Sequence, residues 1–237
     1  MVVAAGGDGT IAEVAAGLLG GHAKLGLLPL GTANVLAWEL GIPLRPEAAA
    51  QVLGAGRIAS LHPGLALFAD GSTRLFVQML GAGFDAAVVA ALDLRLKRVL
   101  GRGAYVWQTL RELPRYRFPP IVATLDGEAM EASSIIVTKG RLYAGRYLVA
   151  PGADPTAPGF HVVVFTQAGP MPAALAGAAL PLGLVPCLPG VSIRRAARIT
   201  LAARHDAPSV QADGDPAGLL PVTITAAQGV IRILLPR

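Results

Sequence analysis

A glycine-rich turn between an apolar run and a helical pattern is the feature that most constrains the fold of this chain. Residues 5–10 read Ala-Gly-Gly-Asp-Gly-Thr, residues 2–5 are continuously apolar, and apolar residues recur at helical spacing from Ile11 to Leu19. A buried parallel strand reads as a continuous apolar run, and an amphipathic helix repeats every three to four residues. The pattern therefore predicts a strand, a tight turn and a helix.

The turn has the composition of a phosphate cradle, because glycine lets the backbone approach a ligand and helix N-termini attract anions. Thr10 and Glu13 fit a T-x-x-E capping box, so we expect the helix to begin at about Thr10. Asp8 is expected at the tip of the turn without packing contacts. An ordinary strand–turn–helix junction is the alternative, because the turn matches neither standard nucleotide-binding fingerprint.

A second unit of the same kind follows. Residues 25–30 form another short apolar run, residues 29–34 read Pro-Leu-Gly-Thr-Ala-Asn, and residues 35–40 have a helical pattern that ends before Gly41. Two successive units of this kind place two helix N-termini along one edge of a parallel sheet, where doubly wound folds bind ligands.

Strand and hairpin patterns dominate the rest of the chain. After a short helix over 46–56, apolar runs flank Asp70-Gly71 and Asp126-Gly127, and each dipeptide predicts a type I′ hairpin turn. Segments 85–94 and 104–113 are predicted to be helical. We place the domain boundary near residue 57, with a partial α/β nucleotide-binding domain over 1–56 and a β domain over 57–237.

The composition narrows the class of protein. Apolar residues make up 53% of the 237-residue chain, which is ample for a core. A lone cysteine, Cys187, excludes a disulfide framework and a cysteine-based metal cluster, and it favours the cytoplasm. No basic leader precedes the first strand, so no signal peptide is predicted. No nucleic-acid motif is present and aromatic residues reach only 5%, so nucleic acid is not an expected partner.

Basic residues are concentrated in one stretch, residues 95–117, although the net charge is only +5. A solvated face is one interpretation. The other is attraction to anionic lipid headgroups, worth about 1 kcal/mol per basic residue near such a surface. The residues are Arg95, Lys97, Arg98, Arg102, Arg111, Arg115 and Arg117.

Residues 168–193 carry no charge at all. A membrane-spanning helix needs about 20 apolar residues, but five prolines in this segment argue against one. We predict a short helix over Ala173–Leu180 at the rim of an apolar cleft instead.

These motifs together resemble the diacylglycerol kinase catalytic family, especially its bacterial lipid-kinase branch. GGDGT at 6–10, PLGTAN at 29–34 and GIP at 41–43 carry the resemblance, and further motifs follow in order: LGAGFD at 80–85, YAGR at 143–146, APGA at 150–153 and QADGDP at 211–216. The resemblance implies a nucleotide-binding α/β domain like that of NAD kinases and phosphofructokinases, followed by an antiparallel β-sandwich that carries the lipid site. A return of the C-terminal strand to the first domain is compatible with this division.

The resemblance also implies the chemistry of the site. ATP and Mg²⁺ would be the cofactors, and Asp213, with Asp215 as second choice, would be the general base that takes a proton from the lipid hydroxyl. The residues implied in nucleotide binding are Gly6, Gly7, Asp8, Gly9, Thr10, Ile11, Ala12, Gly31, Thr32 and Asn34.

The chain departs from the family pattern in several places. Relatives carry an earlier β-α-β portion, so we expect this chain to lack part of its nucleotide domain. The family's D-G-E appears as Asp213-Gly214-Asp215, and His62 stands where relatives have an aspartate. The segment Ala153–Gly159 lacks the aspartate that helps to hold a structural Mg²⁺ in relatives, so that site is doubtful and no metal ligand is assigned.

The sequence therefore predicts an ATP-dependent kinase that phosphorylates a hydroxyl of a diacylglycerol-like or sphingoid lipid. It would act in the cytoplasm, with peripheral contact at the inner membrane face. Two alternatives stay open: an NAD kinase-like phosphotransferase on a soluble acceptor, and a catalytically inactive nucleotide- or lipid-binding relative. The particular lipid and the oligomeric state are not predicted.

Overall fold

The computed structural model describes residues 1–93 and 101–237, which form an α/β layer and two stacked antiparallel sheets. The helices in these residues are α1 (Asp8–Leu18), α2 (Val35–Glu39), α3 (Pro46–Ala55), α4 (Phe84–Ala90), α5 (Arg102–Glu112) and α6 (Pro170–Ala179). The strands are β1 (Val2–Gly6), β2 (Lys24–Pro29), β3 (Arg57–Leu61), β4 (Gly64–Phe68), β5 (Thr73–Phe76), β6 (Met79–Gly83), β7 (Ile121–Leu125), β8 (Glu128–Ala132), β9 (Ser134–Thr138), β10 (Leu142–Tyr143), β11 (Tyr147–Leu148), β12 (Phe160–Phe165), β13 (Val191–Ala196), β14 (Ile199–Ala203), β15 (Ser209–Ala212), β16 (Asp215–Leu219), β17 (Val222–Ala226) and β18 (Ile231–Leu235).

The first sheet combines strands from both ends of the chain. β1 pairs with β2 in parallel, β2 with β18 in parallel, and β18 with β3 antiparallel. The sheet therefore includes Arg57–Leu61 and Ile231–Leu235, which lie on the C-terminal side of the boundary predicted near residue 57. Because β1 and β2 are parallel, both glycine-rich turns emerge at the same edge of the sheet.

Helix α1 begins earlier than the capping-box motif predicted. It starts at Asp8, with Gly7 as its N-cap and no side-chain capping bond. The Thr10 side chain instead folds over Gly6, where an added Cβ would lie 2.6 Å from Thr10 Oγ1. The capping-box prediction was therefore wrong, and the first N–H groups of the helix have no side-chain cap from Gly7.

The remaining large sheets form the predicted antiparallel β-sandwich. One sheet has the strand order β5-β4-β17-β14-β7-β8, and the other has the order β13-β12-β9-β6-β15-β16. Their inner faces share one apolar core, in which Phe76, Leu80, Ile121, Ile199 and Ile224 are fully buried. The α/β domain followed by an antiparallel sandwich confirms the predicted fold class.

The Asp-Gly dipeptides behave differently at the two predicted hairpins. Asp126 and Gly127 both have positive φ, 48° and 98°, in a two-residue turn between β7 and β8, as predicted. At Asp70-Gly71 only the glycine has positive φ, and the Phe68 N–H donates to the Ser72 carbonyl across a longer loop. The type I′ prediction was wrong there, because Asp70 Oδ1 instead accepts bonds from the N–H and Oγ of Ser72.

The predicted helices of the second domain are present with shifted ends. Helices α4 and α5 correspond to the segments predicted at 85–94 and 104–113, and α6 begins three residues before Ala173 because Pro170 occupies its first turn. Part of the basic cluster, Arg95, Lys97 and Arg98, lies outside the described residues. Within residues 1–93 and 101–237, no helix has the length and apolar character needed to cross a membrane.

An ion pair between a buried carboxylate and a half-exposed arginine joins the two domains. The side chain of Glu39, at the end of α2, is 2% exposed and accepts a bond of 2.8 Å from Arg141 Nε of the second domain. Its other oxygen accepts a bond of 2.9 Å from the Leu142 N–H. One carboxylate therefore satisfies a side chain and a backbone group across the domain junction.

We predict that Glu39→Gln lowers the free energy of unfolding by about 1–3 kcal/mol, because an acceptor is replaced by an amide donor beside Arg141 and the Leu142 N–H. Urea denaturation followed by circular dichroism measures this change. The matched control is Glu131→Gln, whose partner Arg204 Nη2 is also 2.8 Å away but which is exposed. The control should change stability by less than about 1 kcal/mol, and equal effects of the two substitutions would contradict the prediction.

Candidate active site

The two glycine-rich turns lie against each other at the edge of the parallel sheet. A Cβ added to Gly31 would lie 2.3 Å from Gly7 Cα, and one added to Gly7 would lie 3.2 Å from Gly31 Cα. The Leu30 N–H also donates to the Gly6 carbonyl at 2.9 Å. Glycine is therefore required at Gly31 by the close approach of the two backbones.

Asn34 shapes the second turn from within. It is 5% exposed, has a φ of 49°, and uses both polar atoms of its side chain on the turn itself. Oδ1 accepts a bond from the Gly31 N–H at 2.9 Å, and Nδ2 donates to the Gly31 carbonyl at 2.8 Å. The structure thus places Asn34 behind the surface of the turn, where it positions Gly31.

Asp8 links the two turns. Its Oδ1 accepts a bond of 2.7 Å from the Val35 N–H, the first residue of α2. A carboxylate at a helix N-terminus satisfies an orphan donor and interacts favourably with the helix dipole. The expectation that Asp8 contacts nothing was therefore wrong, and burial raises the pKa of this carboxyl.

The other residues of the first turn divide between surface and core. Gly9 lies at the start of α1, where an added Cβ would be 2.7 Å from Asp215 Oδ2. Thr10 and Thr32 are exposed at the same edge. Ile11 and Ala12 are 0% and 6% exposed, so their side chains belong to the core beneath the turn.

Asp213 binds the backbone of the short segment in which the chain crosses from one sandwich sheet to the other. Its Oδ2 accepts a bond from the Val77 N–H at 2.8 Å, and its Oδ1 accepts bonds of 2.9 Å from the Gln78 and Met79 N–H groups. The residue is 8% exposed. Burial raises the pKa of its carboxyl to about 6, the three N–H donors oppose this shift, and the charge of Asp8 adds to it.

A chain of hydrogen bonds supports the Asp213-Gly214 turn. Tyr143 Oη donates to Asp85 Oδ1, Gln211 Nε2 donates to Asp85 Oδ2 at 3.0 Å, and the Gly214 N–H donates to Gln211 Oε1 at 2.8 Å. The sequence analysis quoted the motifs that contain these residues but assigned them no role. The available signal was that a carboxylate, a phenol and an amide stand in glycine-containing motifs of the resemblance.

Most of the predicted residues thus lie together at the edge of the first sheet, between the glycine turns and the Asp213–Asp215 turn, in the region that we call the cleft. Ile11 and Ala12 are the exceptions, because their side chains belong to the core. Asp213 is close enough to Asp8 for the two charges to interact, and Asp215 lies against Gly9, with Arg74 Nη2 4.0 Å from its Oδ2. The cleft therefore combines the positive end of α1 with carboxylates of graded burial. Among the described residues, no cluster of three or more histidine, cysteine or acidic side chains could hold a metal by itself.

This arrangement fits a phosphate-bearing ligand. Gly7 and Gly31 pack backbone against backbone with no side chain between them, and α1 starts beside Asp215, where the N-terminus of a helix favours an anion. A divalent ion would fit only if ligand phosphates supplied most of its oxygens, which is the way Mg²⁺ is usually held beside one or two carboxylates.

Comparison with known proteins agrees with these features. Residues 1–91 match the family model of the diacylglycerol kinase catalytic domain, and residues 78–235 match that of the YegS C-terminal NAD kinase beta sandwich-like domain. A diacylglycerol kinase of Mycobacterium tuberculosis is 31% identical over 247 residues, which cover 100% of this chain and 77% of the relative. A YegS-like lipid kinase of Pseudomonas putida is 40% identical over 111 residues, or 46% of this chain and 36% of the relative.

A solved structure has the same fold. The crystal structure of a diacylglycerol kinase from Bacillus anthracis superposes with a TM-score of 0.75 at 22% identity, over 98% of this chain and 76% of the other. The order of motifs, the sandwich and both family matches agree, so this chain belongs to the diacylglycerol kinase and YegS-like lipid kinase family.

Proposed function

We propose that the protein is an ATP-dependent, Mg²⁺-requiring kinase that phosphorylates a hydroxyl of a diacylglycerol-like or sphingoid lipid. One observation carries the proposal: the Asp213–Asp215 turn of the sandwich lies against the glycine turn that starts α1, so a carboxylate and a phosphate cradle share one cleft. A base and a phosphoryl donor are the two parts that transfer to an alcohol requires.

The glycine turns would hold the nucleotide. Gly7 and Gly31 allow the two turns to approach each other, Asn34 bonds to the Gly31 N–H, and Asp8 bonds to the Val35 N–H. When bound, ATP would supply the phosphoryl group and Mg²⁺ would screen its charge from the cleft carboxylates.

Asp213 is our choice for the general base. Its Oδ1 already accepts two N–H bonds, whereas its Oδ2 accepts one and keeps a lone pair for a substrate proton. A carboxylate whose pKa is raised toward neutrality is a stronger base than an ordinary one and is still ionised at pH 7. Asp215 is the second choice, because its more exposed side chain lies nearer the start of α1.

The test is transfer of labelled phosphate from ATP to diacylglycerol or a sphingoid base in vesicles, with NAD as a soluble competitor. We expect a labelled lipid, and we expect Asp213→Asn to lower turnover about 10²–10⁴-fold. Asp126→Asn is the matched control, because Asp126 opens a two-residue turn of the same kind and also accepts backbone N–H bonds, from Ala197 and Arg198.

Three results would change the assignment. Labelled NAD would favour the soluble-acceptor alternative, and nucleotide binding without transfer would favour an inactive relative. Loss of turnover in Asp215→Asn but not in Asp213→Asn would move the base to Asp215. Circular dichroism of each variant separates loss of the base from loss of the fold, because Asp213 also holds three N–H groups.

The pH dependence follows from the raised pKa of Asp213. A base acts only when ionised, so turnover should fall below about pH 6, to about a tenth of its plateau at pH 5. The measurement is kcat against pH with diacylglycerol, which carries no charge of its own. A profile that is flat from pH 7 to pH 5 would contradict a catalytic role for Asp213.

The contribution of Asp213 to the free energy of unfolding should fall as pH rises, whereas turnover should increase. The folded pKa lies above the unfolded one, so the folded state binds more protons between about pH 4 and 6, and stability from this group is lost as pH rises through that window. Comparison of unfolding in wild type and Asp213→Asn over this range isolates the contribution.

Contact with a membrane surface is part of the proposal. On α5 the side chains of Val106, Trp107 and Leu110 are 61%, 57% and 62% exposed, and Arg111 and Arg115 beside them are exposed as well. Apolar side chains next to exposed arginines are typical of a helix that lies in the interface of an anionic membrane.

The position of α5 relates this face to the cleft. Gly101, just before the helix, lies beside Thr32 of the second glycine turn, where an added Cβ would be 3.6 Å from Thr32 Cγ2. A second apolar surface on α6 and the turn after it exposes Met171, Leu175 and Leu182. Gly183, just after this surface, lies beside the β10–β11 hairpin, since an added Cβ would be 3.8 Å from Leu148 Cβ. Tyr143 of the same hairpin interacts electrostatically with Tyr105 of α5, so both apolar surfaces adjoin this hairpin.

We predict that Leu110→Ser weakens binding to anionic phosphatidylglycerol vesicles by roughly three- to tenfold, because an exposed Leu would lose its burial in the interface. Sedimentation with vesicles at two salt concentrations measures the change. The control is Leu67→Ser on β4, where the leucine is 48% exposed on the sandwich surface. Equal binding of the two variants would exclude α5 from the contact.

A further inference from the structure

Lys139 places a buried ammonium group inside the loop between β11 and β12. The residue is 2% exposed, and its Nζ donates to the carbonyls of Ala157 at 2.8 Å and Gly159 at 2.5 Å. The ring of Phe160 lies 5.2 Å from Nζ, within the range of a cation–π contact. The loop thus folds around a positive charge that the chain itself supplies.

The charges around this loop do not form a site for a divalent metal. Asp154 is exposed, and its Oδ1 is bonded to the N–H and Oγ of Thr156. His62 and His161 lie close enough to Lys139 for its charge to lower their pKa, in addition to the larger effect of burial. His161 also accepts a bond from Arg195 Nε at 3.2 Å.

A structural Mg²⁺, which the sequence analysis left in doubt for this loop, therefore does not fit. The residue before Pro158-Gly159 is Ala157, which offers no carboxylate, and its carbonyl is already bonded to the ammonium. A divalent cation here would meet Lys139 at close range. Hard cations bind through oxygen ligands, and the described residues supply no cluster of three or more acidic, histidine or cysteine side chains for one.

We propose that the Lys139 ammonium is the built-in cation of the Ala153–Gly159 loop and replaces a bound structural metal. Backbone carbonyl oxygens can bind either a metal ion or an ammonium group, because the N–H groups of the ammonium donate to oxygens that would otherwise face the metal. A covalently attached cation cannot dissociate, so the loop does not depend on the metal concentration around it.

Lys139 connects this loop to the active site, because its side chain binds the loop and its backbone binds the sheet crossing. The Lys139 N–H donates to the Gln78 carbonyl at 2.8 Å, and Gln78 is one of the three residues whose N–H groups bind Asp213. On its other side the loop accepts a bond at the Pro155 carbonyl from the His62 N–H, at the junction of β3 and β4. Lys139 therefore ties together the loop, the domain junction and the sheet crossing beside Asp213.

Thermal unfolding without nucleotide tests the proposal and does not require kinase activity. The wild-type chain is unfolded in EDTA and in millimolar MgCl₂ at matched ionic strength, and we expect the same Tm in both. A saturable rise of Tm with Mg²⁺ that survives Asp215→Asn would place a metal outside the cleft and overturn the proposal. A rise that disappears in Asp215→Asn would assign the metal to the cleft and leave the loop metal-free, as proposed.

Removal of the charge is the second measurement. Lys139→Met keeps the apolar stem and loses the ammonium, so we expect its Tm to fall by at least about 4 °C. Lys24→Met on β2 removes the charge of a lysine outside this loop, and its Tm should change little. Equal shifts in the two variants would overturn the proposal. If Lys139→Met does not fold while Lys24→Met does, that result supports the proposal, and the metal titration of the wild type still tests it.

Discussion

Three consecutive backbone N–H groups, those of Val77, Gln78 and Met79, converge on the buried carboxylate of Asp213. They belong to the short link between β5 and β6, where the chain leaves one sheet of the sandwich and enters the other. Without this acceptor, those donors would be buried and unpaired, which costs more than an average hydrogen bond contributes. The same contact places the Asp213-Gly214 turn beside the glycine turns, so the fold of the sandwich and the assembly of the cleft depend on one residue.

The domain junction reinforces this arrangement from several directions. β18 returns to the first sheet between β2 and β3, Val77 packs into the core of that domain, and Glu39 pairs with Arg141 across the junction. Because interiors are densely packed, such contacts hold the two halves of a cleft more rigidly than a linker would. A base and a phosphate cradle that come from different domains can therefore keep a fixed separation.

The carboxylates in and around the cleft have different roles, because their surroundings differ. Asp8 binds the start of α2, Asp213 binds the sheet crossing, and Asp85 is held between Tyr143 and Gln211. Asp215, by contrast, has a half-exposed side chain. Burial raises the pKa of Asp8, Asp85 and Asp213, since each is removed from water, and the hydrogen-bond donors around them limit that shift. The architecture thus uses the same side-chain type both as scaffold and as candidate base.

Local pattern alone determined the order of elements, the strand–turn–helix units, the two-residue turn at Asp126 and the family. These depend on periodicity and on glycine, whose effects act over a few residues. Local pattern could not determine that Asp8 would bond to Val35 or that Asp70-Gly71 would open into a longer loop. It also could not determine that the Ala153–Gly159 loop would enclose Lys139. In Asp8 and Lys139 a polar side chain takes a partner 18 or more residues away. Burial forces such groups to find one, and only the packing of the whole chain decides which partner lies within reach.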